Sequence, residues 1–200
     1  MQQRNIRPTG LFAQNLWLFA IPVIGVITMA LPLEMRQQLY LHLDLSRQGE
    51  FWRLFTGHFV YVSWLHWSLN SLGILLFWLF FRESRQPKIW VPAILFILVV
   101  VSAGLMKLSV ELIWYAGFSG ILSGLFAFGA ITNLFKNFAI SVSLLLVLSI
   151  YVFLQLNSGE LVDGGLESVQ TSSYAHAFGL IAGVIYGFLA LIYANLLQKK

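Results

Sequence analysis

Apolar residues run along this chain in long stretches with short polar breaks between them. Six such stretches can be drawn, at about 12–31, 54–81, 90–110, 119–135, 138–156 and 173–196. A helix rises 1.5 Å per residue, so about 20 apolar residues cross a hydrocarbon core of roughly 30 Å. The pattern predicts an all-α polytopic membrane protein, a six-transmembrane-helix bundle forming a single domain over 1–200. The second stretch is long enough to tilt. Arg82 to Lys88, Lys136-Asn137 and Asn157 through Ser173 supply the polar punctuation. Residues 32–53 are too amphipathic to span and read as an outer loop, with Phe51-Trp52-Arg53 suited to the lipid interface. The first apolar run lacks a small-residue cleavage site and is expected to be a retained helix.

Composition sharpens this picture. The chain is 58% hydrophobic and 10% charged, against roughly a quarter charged in a soluble domain. The formal charge of +4 does not point to nucleic acid, because the basic residues sit at segment ends and form no aromatic-studded patch. With no cysteine there is no disulfide, thiolate metal site or thiol nucleophile. With a cytoplasmic N-terminus, Arg4, Arg7, Arg82, Arg85, Lys88, Lys136, Lys199 and Lys200 lie inside, and Arg36, Arg47, Arg53 and Lys107 lie outside. That asymmetry obeys the positive-inside rule and puts both termini in the cytoplasm.

Polar groups inside apolar helices are costly, so each asks for a partner or a task. His66 and Asn70 are four apart on one helical face and can donate hydrogen bonds in the same direction; the alternative is interhelical glue. Gly117-Phe118-Ser119-Gly120 opens the fourth stretch. Such a string is often mere packing, but about 17 residues back from Lys136 cover only about 25 Å of the core, so Ser119 should begin below the outer boundary. A helix N-terminus there, with its free N–H groups, favours the negative charge an attacked carbonyl develops. In the sixth stretch His176 precedes Gly179, Gly183 and Gly187, one glycine per turn, and the fourth stretch offers Gly120, Gly124 and Ala127 in return. Packed small face to small face, the two helices bring Ser119 and His176 to similar depth. His176 is then a candidate base, or else a structural hydrogen-bonder. His58 lines a water path or, preferably, faces the interface, and His42 reads as a solvated loop residue.

Taken in order, Trp52-Arg53, His66-x-x-x-Asn70, Gly117-x-Ser119-Gly120 and Ala175-His176-x-x-Gly179-x-x-x-Gly183 resemble the rhomboid intramembrane serine proteases over about residues 12–196. The resemblance implies Ser119 as nucleophile, His176 as general base, and an oxyanion site made by the Ser119 backbone N–H with His66 and Asn70. No carboxylate lies near His176 in sequence, so a Ser–His dyad is implied in place of a triad. The lead-in Trp52 to His58 is most similar to the rhombosortase branch, associated with bacterial proteins that carry a C-terminal Gly-Gly signal and a transmembrane helix. Substrates would be membrane proteins whose transmembrane segments hold small or helix-destabilising residues near the outer face. The setting would be a bacterial inner membrane, with the site open to the periplasm.

One position departs from the family. Many rhomboids carry an aromatic residue four positions after the nucleophile, where it can stack on the histidine, and this chain has Ser123. Phe126, Phe178 or Tyr174 could pack the ring in its place. The glycine-containing stretch Ser158–Ser173 could act as a lid, and the fifth helix as a side gate. No cofactor is expected, and histidines without a carboxylate or thiolate make a poor metal set. The alternatives are an inactive relative that binds transmembrane helices and a small transporter using His66, Asn70 and His176.

Overall fold

The computed structural model describes residues 16–81, 87–108, 114–157 and 173–198. Within them the chain is mostly helical. Six apolar helices dominate: α1 (Ala20–Met29, entered by a 3₁₀ turn at Leu16–Phe19), α2 (Trp64–Phe80), α3 (Pro87–Leu108), α4 (Ser119–Thr132), α5 (Phe138–Asn157) and α6 (Ser173–Gln198). Three spans are long and apolar enough to cross a membrane, Ile89–Lys107 in α3, α5 itself, and Ser173–Leu196 in α6. A fourth is formed if Arg53–Phe59 and α2 make one broken span. The chain is therefore an integral membrane protein with three to four candidate spans among its described residues. Helices α1 and α4 are shorter than a full crossing; the 14 residues of α4 reach only about 21 Å.

The second apolar stretch is not the single tilted helix its length predicted. Arg53–Phe59 meets α2 at 86°, because the backbone is extended at Val60 and again at Ser63. The Ser63 side chain accepts the His66 N–H at 3.1 Å, an N-cap that starts α2 afresh. That cap fixes which way His66 and Asn70 point.

Helix α4 runs through the middle of the bundle. Eleven of its 14 residues are buried, as expected of a helix apolar on every side, and it touches α2, α3, α5 and α6. Its closest neighbour is α6. A Cβ at Gly124 would stand 2.6 Å from the Gly179 carbonyl oxygen, and Cβ atoms at Gly179 and Gly183 would collide with the carbonyls of Gly120 and Gly124. Gly187 lies against Ile131. The two backbones are thus in contact over two turns. Helix α5 is the opposite case: only Ser141 and Val152 are buried, and Val147, Ile150, Phe153 and Leu154 point outward, where acyl chains would cover them.

Residues 32–59 form a compact cap of short helices, Leu33–Gln37, Leu43–Arg47 and Arg53–Thr56. A two-residue strand, Leu41–His42, pairs antiparallel with Trp114–Tyr115 and so ties the cap to the turn before α4. Phe51 and Trp52 are exposed, as an interface needs, but Arg53 is buried. It pairs with Glu50 and donates to the carbonyls of Gln37 and Tyr40 at 3.1 and 3.0 Å. Its guanidinium holds the cap together and does not face lipid headgroups. His42 is half-buried, and its Nδ1 accepts the Leu45 N–H at 3.5 Å; it starts a helix where a solvated residue was expected.

Candidate active site

The turn Ala116–Phe118 brings the chain from the strand into α4 through a reversal that only glycine makes easily, with Gly117 at φ +125°. Three contacts lock it. The Gly117 N–H donates to the Gly57 carbonyl at 2.9 Å. The Tyr115 hydroxyl donates to the Gly117 carbonyl at 2.7 Å and accepts the Gly120 N–H at 3.3 Å. Burial pushes the Tyr115 phenol up to about 12, partly offset by that Gly120 bond, so it stays a proton donor at any physiological pH. Ser119 follows as the first residue of α4. Its Oγ is buried without a hydrogen bond; it lies near enough to the Tyr115 oxygen to act on it, but without good hydrogen-bond geometry.

His66 reaches this turn from α2. A Cβ at Gly117 would stand 2.5 Å from His66 Cε1, and the other side of the ring meets Tyr61 edge-on at 5.5 Å. Both ring nitrogens are buried and unpartnered. Asn70, one turn along, donates from Nδ2 to the His66 carbonyl at 2.9 Å, while its Oδ1 is buried and unpartnered. Most buried polar groups in proteins are satisfied. A serine hydroxyl and an imidazole are left open at one glycine turn, and an amide oxygen is left open one helical turn along from the imidazole.

His176 approaches from α6. Its neighbour Ala175 packs on Gly120, with the Ala175 carbonyl oxygen 3.0 Å from where a Gly120 Cβ would be. The His176 carbonyl accepts from Ser123 Oγ at 3.2 Å, so the serine that stands in place of an aromatic holds the backbone at His176. The ring is held from α5: Nδ1 is 2.7 Å from Gln155 Oε1, and the Tyr151 ring lies 5.6 Å away at 51°. The three aromatic residues expected there lie elsewhere. Phe126 packs on Phe77 and Phe81, Phe178 on Gly104 of α3, and Tyr174 is exposed. Sequence reasoning missed Gln155 and Tyr151, whose only signal is a glutamine one turn beyond a tyrosine in an otherwise apolar helix.

His58 is not an interface residue. It is fully buried, with Nε2 2.8 Å from Ser102 Oγ, which donates onward to the Leu54 carbonyl at 2.8 Å. It braces the cap against α3 and meets Tyr115 edge-on at 5.5 Å. The suggested lid falls almost wholly on 158–172, which lie outside the described residues.

The family model described as the Rhomboid domain matches residues 48–193. That stretch includes the broken second segment and Ser119, His176, His66 and Asn70. No curated protein sequence matches the chain significantly.

Proposed function

The chain belongs to the rhomboid family, whose members are generally serine proteases acting within the lipid bilayer on membrane proteins, and from that premise we propose that it is an intramembrane serine endopeptidase working through Ser119 and His176. The observation that carries this reading is the His66 ring, both its nitrogens buried and unpartnered, lying against the Gly117 turn that leads into Ser119, at the N-terminus of a helix whose glycines hold it against the helix bearing His176.

In the proposed reaction His176 Nε2 takes the Ser119 hydroxyl proton as Oγ bonds to the scissile carbonyl carbon. The carbonyl oxygen becomes an oxyanion, received by the Ser119 N–H, His66 and the free amide hydrogen of Asn70. Each such donor contributes about 3–4 kcal/mol to the transition state. The C–N bond then breaks, and His176 gives its proton to the leaving amine. Water, deprotonated by His176, attacks the acyl-serine, the Oγ–C bond breaks, and the hydroxyl is restored. Beginning a short α4 below the membrane surface is what would let water reach a reaction that lipid otherwise excludes.

We assign the remaining features to the same reading. The protein would cross the membrane six times with both termini cytoplasmic, α1 and α4 being the short crossings. In a bacterial inner membrane the site would open to the periplasm. Substrates would present a transmembrane segment with small or helix-destabilising residues, and rhombosortase-type processing of C-terminal Gly-Gly signals is the favoured subclass on the Trp52–His58 lead-in.

One observation favours a second reading, an inactive relative that binds transmembrane helices: Ser119 Oγ makes no hydrogen bond, whereas an activated nucleophile engages its base. Treating the detergent-solubilised protein with a fluorophosphonate decides between them. The protease labels, and Ser119→Ala and His176→Ala do not; a wild-type protein that fails to label supports the helix binder.

A further inference from the structure

Resting on the dyad just proposed, we infer that Gln155 is the positioning residue of the base: its amide oxygen holds the proton of His176 on Nδ1 and so leaves Nε2 bare for Ser119. An amide oxygen only accepts, so at 2.7 Å from Gln155 Oε1 the imidazole Nδ1 is the donor. A neutral imidazole has one N–H, and the other nitrogen is then the acceptor a general base requires. The amide is itself oriented, because Gln155 Nε2 donates to the Tyr151 hydroxyl at 2.9 Å, and the Tyr151 ring packs tilted beside the imidazole. Ser173 Oγ, at the first turn of α6, donates to the Gln155 carbonyl at 3.3 Å, tying the two helix ends together.

In soluble triads a carboxylate does this work. Gln155 stands two residues from the end of α5, a helix that buries only two of its residues. An amide supplies the same acceptor without a charge. Tyr151 and Gln155 together then replace what an aromatic residue at position 123 would have given, one packing the ring and the other choosing its tautomer.

The test uses the full chain in detergent with histidine imidazoles labelled in ¹⁵N, the His176 signals being those absent from His176→Ala. The expected wild-type spectrum is the Nδ1–H tautomer, and Gln155→Leu should give a mixture of tautomers. In parallel, fluorophosphonate labelling of Gln155→Leu should show a maximal rate reduced on the order of ten- to a hundredfold with half-saturation unchanged, short of the roughly 10⁴-fold seen when a triad's orienting group enforces the wrong tautomer. Gln155→Glu, which restores the acceptor, should recover most of that rate. A wild-type His176 protonated on Nε2 overturns the assignment whether or not any variant folds. So does Gln155→Leu labelling at the wild-type rate, or Gln155→Glu proving as slow as Gln155→Leu. Labelling that survives in His176→Ala sinks the dyad instead, while the tautomer still reports on Gln155.

Discussion

The imidazole of His66 lies directly against the Cα of Gly117, its Cε1 2.5 Å and its Nε2 2.8 Å from where a Cβ would stand. Gly117 is thus required twice, once by its φ of +125° and once by the ring. Gly117→Ala should cost about 1–3 kcal/mol of stability from the backbone alone, and should slow fluorophosphonate labelling by about a hundredfold as His66 is pushed from the turn. Thermal unfolding and labelling rate, measured on one preparation, check both; labelling at the wild-type rate would separate His66 from the chemistry.

Asn70 distinguishes an oxyanion donor from interhelical glue. Its Oδ1 is buried with no partner, and an unsatisfied buried group costs about 1–3 kcal/mol. Asn70→Leu, close in size and free of that cost, should be neutral or stabilising by up to about 1 kcal/mol, yet lower maximal activity by about a hundredfold. A glue residue would do the reverse, losing stability while each folded molecule kept its rate.

The Tyr115 phenol gives an alkaline signature. Its folded value, about 12, lies above the ordinary 10, so the folded state favours the protonated form. The stabilisation is fully present below pH 10 and is lost as pH rises through 12, at up to about 1.4 kcal/mol per pH unit for one proton. Tyr61 is pushed up by burial as well, so the wild-type slope has more than one source. Tyr115→Phe should be less stable at neutral pH by about 1–2 kcal/mol, having lost the bond that holds Gly117, and its unfolding midpoint should fall less steeply between pH 10 and 12. Identical slopes would show that folding does not raise the Tyr115 phenol.

Arg53 offers a test confined to the cap. Removing a charged donor from two backbone carbonyls and a partly exposed Glu50 should cost about 2–3 kcal/mol. Arg53→Ala molecules that remain folded should label at nearly the wild-type rate, because the guanidinium touches none of Ser119, His176, His66 or Asn70. A large loss of rate per folded molecule would mean that the cap positions the Gly117 turn, through the strand pair that ends at Tyr115.

What could be read from the sequence was governed by period and by cost. Long apolar runs located α3, α4, α5 and α6 within a few residues, and polar groups too costly to leave idle marked Ser119, His66, Asn70 and His176 as candidates. The break at Val60–Ser63 was hidden because Val-Tyr-Val is as apolar as a helix interior, and only Ser63, acting as a cap, marks the restart. The buried places of Arg53 and His58 were hidden for a related reason: Arg53 donates to the backbone carbonyls of Gln37 and Tyr40, which have no letter in the sequence, and the His58 partner Ser102 stands 44 residues away on another helix. Gln155 was missed because a membrane-facing helix tolerates a terminal glutamine, and only the fold puts it beside an imidazole 21 residues further along.

The glycine contacts between α4 and α6 predict a graded series. At Gly179 and Gly183 a methyl group would meet the backbone carbonyls of Gly120 and Gly124, which cannot turn aside, so the helices must separate. At Gly187 it would meet the Ile131 side chain near its root, at 2.7 Å. At Gly73 it would meet only the end of Leu122, which can rotate. Gly179→Ala and Gly183→Ala should each cost about 1–3 kcal/mol or more, Gly187→Ala less, and Gly73→Ala should be neutral or stabilising by up to about 1 kcal/mol through helix propensity. The labelling rate should fall in the same order, because separating α6 from α4 draws His176 away from Ser119. Unfolding midpoints that follow the series while labelling stays flat would mean that the glycine seam holds the bundle together without setting the distance between His176 and Ser119.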